Sequence, residues 1–352
     1  MHNLDLRAAK INPKDEFYTS YTDIDKEMYA YLNENPRLFS DASILLPCDD
    51  PRRSQFFAWF TDHFVQLGMR KLVAVSFAGA AESSDEQGRV TIVTPTLGAS
   101  YKQISYSLEG DGDFRSDEVT QLRDEADFVI TNPPFSLFRD FVDWLCESTC
   151  SFSVLGNMNA ITCSNIFPLF QANKLWFGST ISGGDREFRV PESYPLTAAG
   201  SRVDDQGNKY VRVKGVRWFT NIGDPSDKEF LQLQTMEHNK LHSRHAFIKE
   251  HGYPEYDNYA AIEVGFTDAI PSDYTGVMGV PISFIDKYNP AQFTILGMTD
   301  RKNTSGLRTH KYTRNDDPRY NDLNARSTYW LEGKLKVAYT RILIQHNQKL
   351  TV

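Results

Sequence analysis

The chain has 352 residues, 40% of them hydrophobic and 13% aromatic, enough to fill a substantial core in one large domain or two ordinary ones. Its 38 basic against 46 acidic residues give a net charge of -8, which excludes a surface that binds polyphosphate everywhere but leaves room for a local basic track. No apolar run approaches the roughly 20 residues that cross a bilayer, the first residues lack a signal-peptide pattern, and the four cysteines show neither a disulfide framework nor paired C-x-x-C spacing, so the expectation is a soluble cytoplasmic protein without a metal.

Short apolar, β-prone runs alternate with helical stretches, the signature of an α/β sheet. Residues 43–46 (SILL) read as a buried strand, and residues 54–67 as the helix after it, with Phe56, Phe57, Phe60, Phe64 and Leu67 on one stripe. Residues 71–77 form the next strand. Residues 127–131 (DFVIT) form another, followed by a tight loop and a helix over 137–146, on which Cys146 and, just beyond it, Cys150 are expected to pack in the core. Strands at 151–155 and from 175 continue the pattern. Past residue 222 the alternation fades into Pro-, Gly-, Tyr- and Asn-rich sequence, which places a domain boundary there and divides the chain into residues 1–222 and 223–352. The apolar run 337–344 reads as a final strand that packs back on an earlier element. One basic track runs from Arg301 to Arg326 and holds His310 and Arg319 besides Arg301, Lys302, Arg308, Lys311 and Arg314, its candidate DNA contacts; Arg212, Lys214 and Arg217 make another.

The sharpest feature is the apolar strand that runs straight into Asn132-Pro133-Pro134-Phe135. Ligands of open α/β sheets sit at the carboxyl ends of the strands, so this loop is where a site belongs. Two consecutive prolines stiffen the loop and remove its N–H donors. That suits methyl transfer to a planar amino group: the Asn132 amide oxygen and the Pro133 carbonyl accept the two hydrogens of a poorly nucleophilic nitrogen, and Phe135 offers a face on which an extruded base stacks. Closing the strand at 43–46, Asp49-Asp50-Pro51 replaces the usual glycine-rich cofactor loop. A carboxylate there, Asp49 in preference to Asp50, suits the ammonium of a methionine moiety. In a second acidic loop, residues 109–114 (EGDGDF), Asp113 is suited to accept from the cofactor's adenine and Phe114 to pack on its ring. His238 and His242 have the spacing of a helical zinc pair but lack the glutamate that a zinc protease needs, so no metal site is expected. The residues alone leave several acceptors open: adenine, a cytosine amino group or a glutamine side chain. A non-catalytic DNA-binding protein on the same fold also stays open. Phenylalanine after the prolines, with the basic track, favours adenine.

These residues resemble the EcoRI-type adenine-specific DNA methyltransferases over most of the chain. The matching pieces are DEFYT at 15–19, CDDP at 48–51, LEGDGDFRS at 108–116, TNPPFSLFR at 131–139, GNMNAIT at 156–162, RWFTNI at 217–222 and MGVPISFIDKYNP at 278–290. The resemblance implies a Rossmann-like S-adenosylmethionine-dependent fold with a C-terminal target-recognition region, double-stranded DNA as partner, and Phe17, Tyr18 and Thr19 beside Asp49 at the methionine end of the cofactor. It leaves the oligomeric state open.

Overall fold

The computed structural model describes residues 17–80, 85–196, 200–302 and 304–347, which pack as two compact units. The first holds the described residues up to Phe167 together with Leu175–Gly223; the second holds Pro168–Lys174 and the described residues from Asp224 onward. Asp15 and Glu16 of the DEFYT piece lie outside the described residues. Among the described residues no helix is long and apolar enough to cross a membrane.

In chain order the first unit contains strands β1 (Ser43–Leu46), β2 (Lys71–Ser76), β3 (Arg89–Thr96), β4 (Ser100–Ser107), β5 (Phe128–Thr131), β6 (Ser151–Asn157), β7 (Trp176–Phe177), β8 (Asp185–Val190), β9 (Arg202–Val203), β10 (Lys209–Lys214) and β11 (Val216–Thr220). Its main helices are α1 (Tyr21–Glu34), α2 (Gln55–His63), α3 (Asp117–Asp124) and α4 (Phe138–Cys146). Eight strands form one mixed sheet in the order β4-β3-β2-β1-β5-β6-β11-β7. The central strands β2, β1, β5 and β6 run parallel, β3 and β4 extend one edge antiparallel, and β11 lies antiparallel between β6 and β7. This is a Rossmann-like arrangement. The strands β8, β10 and β9 make a separate small sheet.

The central parallel strands are covered on both faces, which is why they read as unbroken apolar runs rather than alternating ones. Ile44 and Leu46 join a core with Phe39, Phe60 and Trp218, and by the two-residue period of a strand Leu45 turns to the opposite face. Each large apolar side chain so buried contributes about 1.5–3 kcal/mol. Helix α2 begins where Ser54 accepts the Phe57 amide at 3.1 Å, and it ends at His63, short of the expected 67. Trp59 is fully buried along with Phe56 and Phe60, so the helix is covered over more than the predicted stripe. On the other side, Gly156 of β6 lets the Phe138 ring come so close that a Cβ there would sit 2.4 Å from it.

Two expectations are corrected here. Cys150 is buried, but Cys146 at the last turn of α4 is exposed, because the helix ends there and its final residue turns to solvent. Arg217, grouped with Arg212 and Lys214 as a basic track, is 4% exposed: it lies on the inner strand β11, opposite Gly156 of β6, and its guanidinium donates to the Val216 carbonyl instead of facing solvent.

The second unit is built on β12 (Ile262–Glu263), β13 (Met278–Pro281), β14 (Phe293–Met298), the hairpin of β15 (Thr328–Leu331) with β16 (Lys334–Val337), and β17 (Arg341–His346). The four-stranded sheet has the order β12-β13-β17-β14. The tail expected as one strand is split: Val337 closes β16, and β17 inserts between β13 and β14, antiparallel to both. Arg341 on β17 pairs with the buried Glu263 on β12 at 2.5 Å, and the Tyr256 hydroxyl donates to the same carboxylate.

Candidate active site

The sheet reverses its winding between β1 and β5: the chain leaves β1 through α2 to reach β2 on one side, while β5 pairs on the other. Ligands of such sheets bind in the crevice beyond the carboxyl ends of the two strands at this point. Asp49 follows β1 and Asn132 follows β5, so the two loops singled out in the sequence meet at that crevice. A cavity of about 120 Å³ lies there, and its wall includes Phe17, Tyr18, Thr19, Asp49, Asp50, Asn132 and Pro134.

Asp49 is 7% exposed. Its carboxylate is held by two hydroxyls, Ser54 Oγ donating to one oxygen and Thr131 Oγ1 to the other, each at 2.6 Å. Burial pushes the Asp49 pKa up to about 6 against the stabilising pull of those two donors, and the nearby Asp50 charge adds to the rise. A buried carboxylate in this condition gains from a cation. Asp50 differs: it is tied to the Arg52 guanidinium at 2.7 Å and, against the opposing effect of its own burial, is held below the usual carboxylate range. The geometry therefore separates the adjacent acids into one that is available and one that is already ion-paired.

Asn132 follows β5 with its amide locked. Its Nδ2 donates to the Phe17 carbonyl at 2.6 Å. A carbonyl only accepts, so this bond fixes which end of the amide is which and leaves Oδ1 as the other end. Among the described residues that buried Oδ1 has no hydrogen-bond partner. An orphaned acceptor inside a cavity costs about 1–3 kcal/mol, and a ligand N–H recovers it. The Pro134 carbonyl is engaged by the Leu137 amide at 3.0 Å, which starts the short turn into α4. The Phe17–Thr19 segment is held from the other side as well, the Tyr18 amide donating to the Arg189 carbonyl of β8 at 2.9 Å.

Other expected residues lie outside the wall of the cavity. Pro133 is buried, Pro51 sits in the turn before Ser54, and Phe135 is half-buried with its ring centroid 5.1 Å from that of Phe17 at 30°. Phe114 is 4% exposed, packed on Phe141 and Trp144 at 4.9 and 5.4 Å between centroids, so its ring belongs to the core beneath α4. Asp113 is paired with Arg115 at 2.7 Å. Burial, then the charges of Asp49 and Asp113, push the thiol of Cys48 in the cavity wall well above its usual range. The loop carrying Asp113 is drawn against the end of β2, where Ala78 donates to the Asp111 carbonyl at 2.8 Å and a Cβ on Gly112, at φ +84°, would lie 2.6 Å from the Ser76 carbonyl.

The basic track, in the second unit, is not uniform. Arg301, Lys302, Lys311 and Arg314 are exposed. Arg308 is turned inward: its guanidinium donates to the carbonyls of Asp300 and Asn324 and to the Tyr259 hydroxyl, and it lies 5.4 Å over the Tyr259 ring.

Sequence reasoning missed the residues that hold the site. Ser54 carried a readable signal, a helix-capping serine just ahead of an apolar helix, and Thr131 stood next to Asn132 at the strand end. The Phe17 carbonyl carried none, since a backbone acceptor leaves no mark in side-chain identity.

Residues 5–347 match the family model described as adenine-specific methyltransferase EcoRI. The chain is 39% identical over 299 residues to the Type II methyltransferase M.EcoRI of Escherichia coli, covering 83% of this chain and 88% of that protein. It is 32% identical over 350 residues to the Type II methyltransferase M.MpnI of Mycoplasma pneumoniae, covering 98% and 99%, and 34% identical over 298 residues to M.MgeORF184P of Mycoplasma genitalium, covering 84% and 86%. No solved structure matches the chain significantly.

Proposed function

The chain belongs to the EcoRI family of adenine-specific methyltransferases, and from that premise we propose that it moves a methyl group from S-adenosylmethionine to the exocyclic N6 of an adenine extruded from double-stranded DNA, as the modifying partner of a restriction system. The observation that carries the reading is the Asn132 amide, locked by Phe17 with its Oδ1 unpartnered at the cavity that Asp49 lines. An adenine amino group is a weak nucleophile because its lone pair is delocalised into the ring. Asn132 Oδ1 and the Pro133 carbonyl accept its two hydrogens, which favours the tetrahedral nitrogen that can attack. Phe135, half-buried beside Phe17, is the ring on which the base stacks.

The residues present fit the cofactor. Asp49 binds the ammonium of the methionine moiety and gains the cation its buried carboxylate lacks; Phe17 and Tyr18, with Thr19 behind them, wall that end. Asp113 serves the adenine end. When bound, S-adenosylmethionine supplies an electrophilic methyl group on a positively charged sulfur. The protein's own contribution is orientation: a stiff Pro-Pro loop and a pinned amide hold the nitrogen in line, so that proximity provides most of the acceleration. The exposed Arg301, Lys302, Lys311 and Arg314 contact DNA phosphates, and Arg308 supports their loop from inside.

Expression in a host that lacks DNA methylation, followed by sequencing of its genomic DNA for modified bases, tests reaction, base and site together. N6-methyladenine at one position of a short recurrent sequence is the expected result. Modified cytosine, or no modified base from a protein that binds the cofactor, overturns the reading.

A further inference from the structure

A second and larger cleft, of about 610 Å³, lies beside the Asn132 cavity, and the two share Tyr18, Thr19, Arg53 and Gln55. Four basic residues line it against two acidic ones, Glu187 and Glu192. Of these acids, Glu187 is already ion-paired with Arg202 of β9 at 2.5 Å. The cations are in different states. Arg52 is taken up by Asp50 and Asp85 at 2.7 and 2.8 Å, and Lys209 of β10 is turned onto the carbonyls of Glu192 and Tyr194. Arg189 of β8 is exposed, and among the described residues its side chain has no ion pair and no hydrogen bond.

Two further features of the wall point to an anion. Gln55 opens helix α2, whose first turn contains no acidic residue, and lines the cleft, so the positive end of the helix lies at its wall. Thr19 is 5% exposed, and its hydroxyl has no hydrogen-bond partner among the described residues although it lies on the wall common to both cavities. A buried hydroxyl left in this state is relieved by a ligand oxygen.

An extruded base remains tethered by a phosphodiester on either side, so the DNA backbone must pass within one nucleotide of the cavity that receives it. Resting on the reading of the Asn132 cavity as the target-base site, we infer that the cleft holds a backbone phosphate flanking the target adenine, with Arg189 as its principal cation. Contacts of this kind set the register of a protein on DNA without reading sequence. Arg189 thereby positions the extruded nucleotide, while base selection lies elsewhere.

The test uses the full-length protein, the duplex sequence found to be methylated in cells, and versions of that duplex with a single neutral methylphosphonate on either side of the target adenine. Arg189→Ala is expected to weaken DNA binding by about threefold to tenfold and to lower the slope of log affinity against log salt by about 1, with Arg189→Lys restoring both. Cofactor affinity stays at the wild-type value. A methylphosphonate at one flanking position weakens the wild type by a similar factor and adds no further loss to Arg189→Ala, the non-additivity expected of two halves of one contact. Independent, multiplying losses at both flanking positions overturn the inference, as does unchanged DNA affinity. A loss of cofactor affinity in Arg189→Ala also overturns it, because the anion would then be the carboxylate of the cofactor. Should the wild type methylate no adenine in DNA, the proposed function fails; should it do so while the Arg189 arm fails, only this inference falls.

Discussion

The corner around Asp49 and Asn132 and the basic segment from Arg301 to Arg314 both carry polar groups for a ligand, but they hold them in opposite ways. In the corner Asp49 is buried and pinned by Ser54 and Thr131, and the Asn132 amide is pinned by Phe17. In the basic segment Lys302, Lys311 and Arg314 stand in solvent, and Arg308 is clamped, by carbonyls and a tyrosine. On the proposed function, the difference follows from what each must do. Chemistry depends on placing two hydrogens and one ammonium to within fractions of an ångström, whereas phosphate attraction is long-ranged and tolerates mobile side chains. Loss of one pinned group should therefore be felt steeply, and loss of one mobile charge only mildly.

The largest effect belongs to Asn132→Ala, which removes the unpartnered acceptor while leaving the Asp49 side of the cavity in place. Turnover should fall about a hundredfold to a thousandfold, with the cofactor Kd unchanged, as seen by calorimetry alongside a radiolabelled transfer assay. Equal losses in both would mean that the residue serves binding. Next is Asp49→Asn, for which cofactor affinity should drop about a hundredfold as the ion pair is lost. The same change should raise the stability of the cofactor-free protein by about 1 kcal/mol at neutral pH, because a buried charge that was costly to hold is gone. Opposite signs in binding and in thermal unfolding are the signature of a group kept for function.

The wild-type pH profile probes the same carboxylate. Its pKa of about 6 lies above the ordinary 3.8, so Asp49 takes up a proton as pH falls through 6. Below that point cofactor affinity should decline by about tenfold per pH unit, and above it level off. In Asp49→Asn this dependence should vanish; its persistence would assign it to another group.

Of intermediate size is Arg308→Ala. It strips the loop of several charge-assisted hydrogen bonds and should cost about 2 kcal/mol of stability in denaturant unfolding, with weaker DNA binding only as a consequence. The mildest is Lys311→Ala with Arg314→Ala: little change in unfolding, and a salt slope for DNA binding reduced by about 1 for each phosphate contact removed. If the double variant binds DNA as the wild type does, the phosphates run elsewhere on the surface.

Much of this was legible in the sequence because parallel strands covered on both faces leave unbroken apolar runs, and SILL, LVAVS and FVIT mark three neighbours of the sheet directly. The loops that follow such strands are where ligands bind, and that position together with residue chemistry singled out Asp49 and Asn132, which the structure brings to one cavity. Arg308 could not be sorted from Lys311, because an arginine that clasps carbonyls has the same composition as one that faces solvent. The Phe17 clasp joins residues 115 positions apart through a main-chain oxygen, and nothing in either side chain announces it. The cleft at Arg189 depends on the small sheet of β8, β9 and β10, whose short polar strands give only a weak two-residue pattern. Cys146 shows the converse: helical spacing puts it beside Cys150 on paper, but the helix ends first.

The central claim is that the fixed Asn132 oxygen activates an adenine amino group. A single-turnover experiment at saturating cofactor and DNA isolates that step from binding. The wild type should transfer one methyl group to N6 of one adenine per site, and Asn132→Ala should be slower by at least about a hundredfold although both ligands remain bound. Transfer at the wild-type rate by Asn132→Ala would contradict the account.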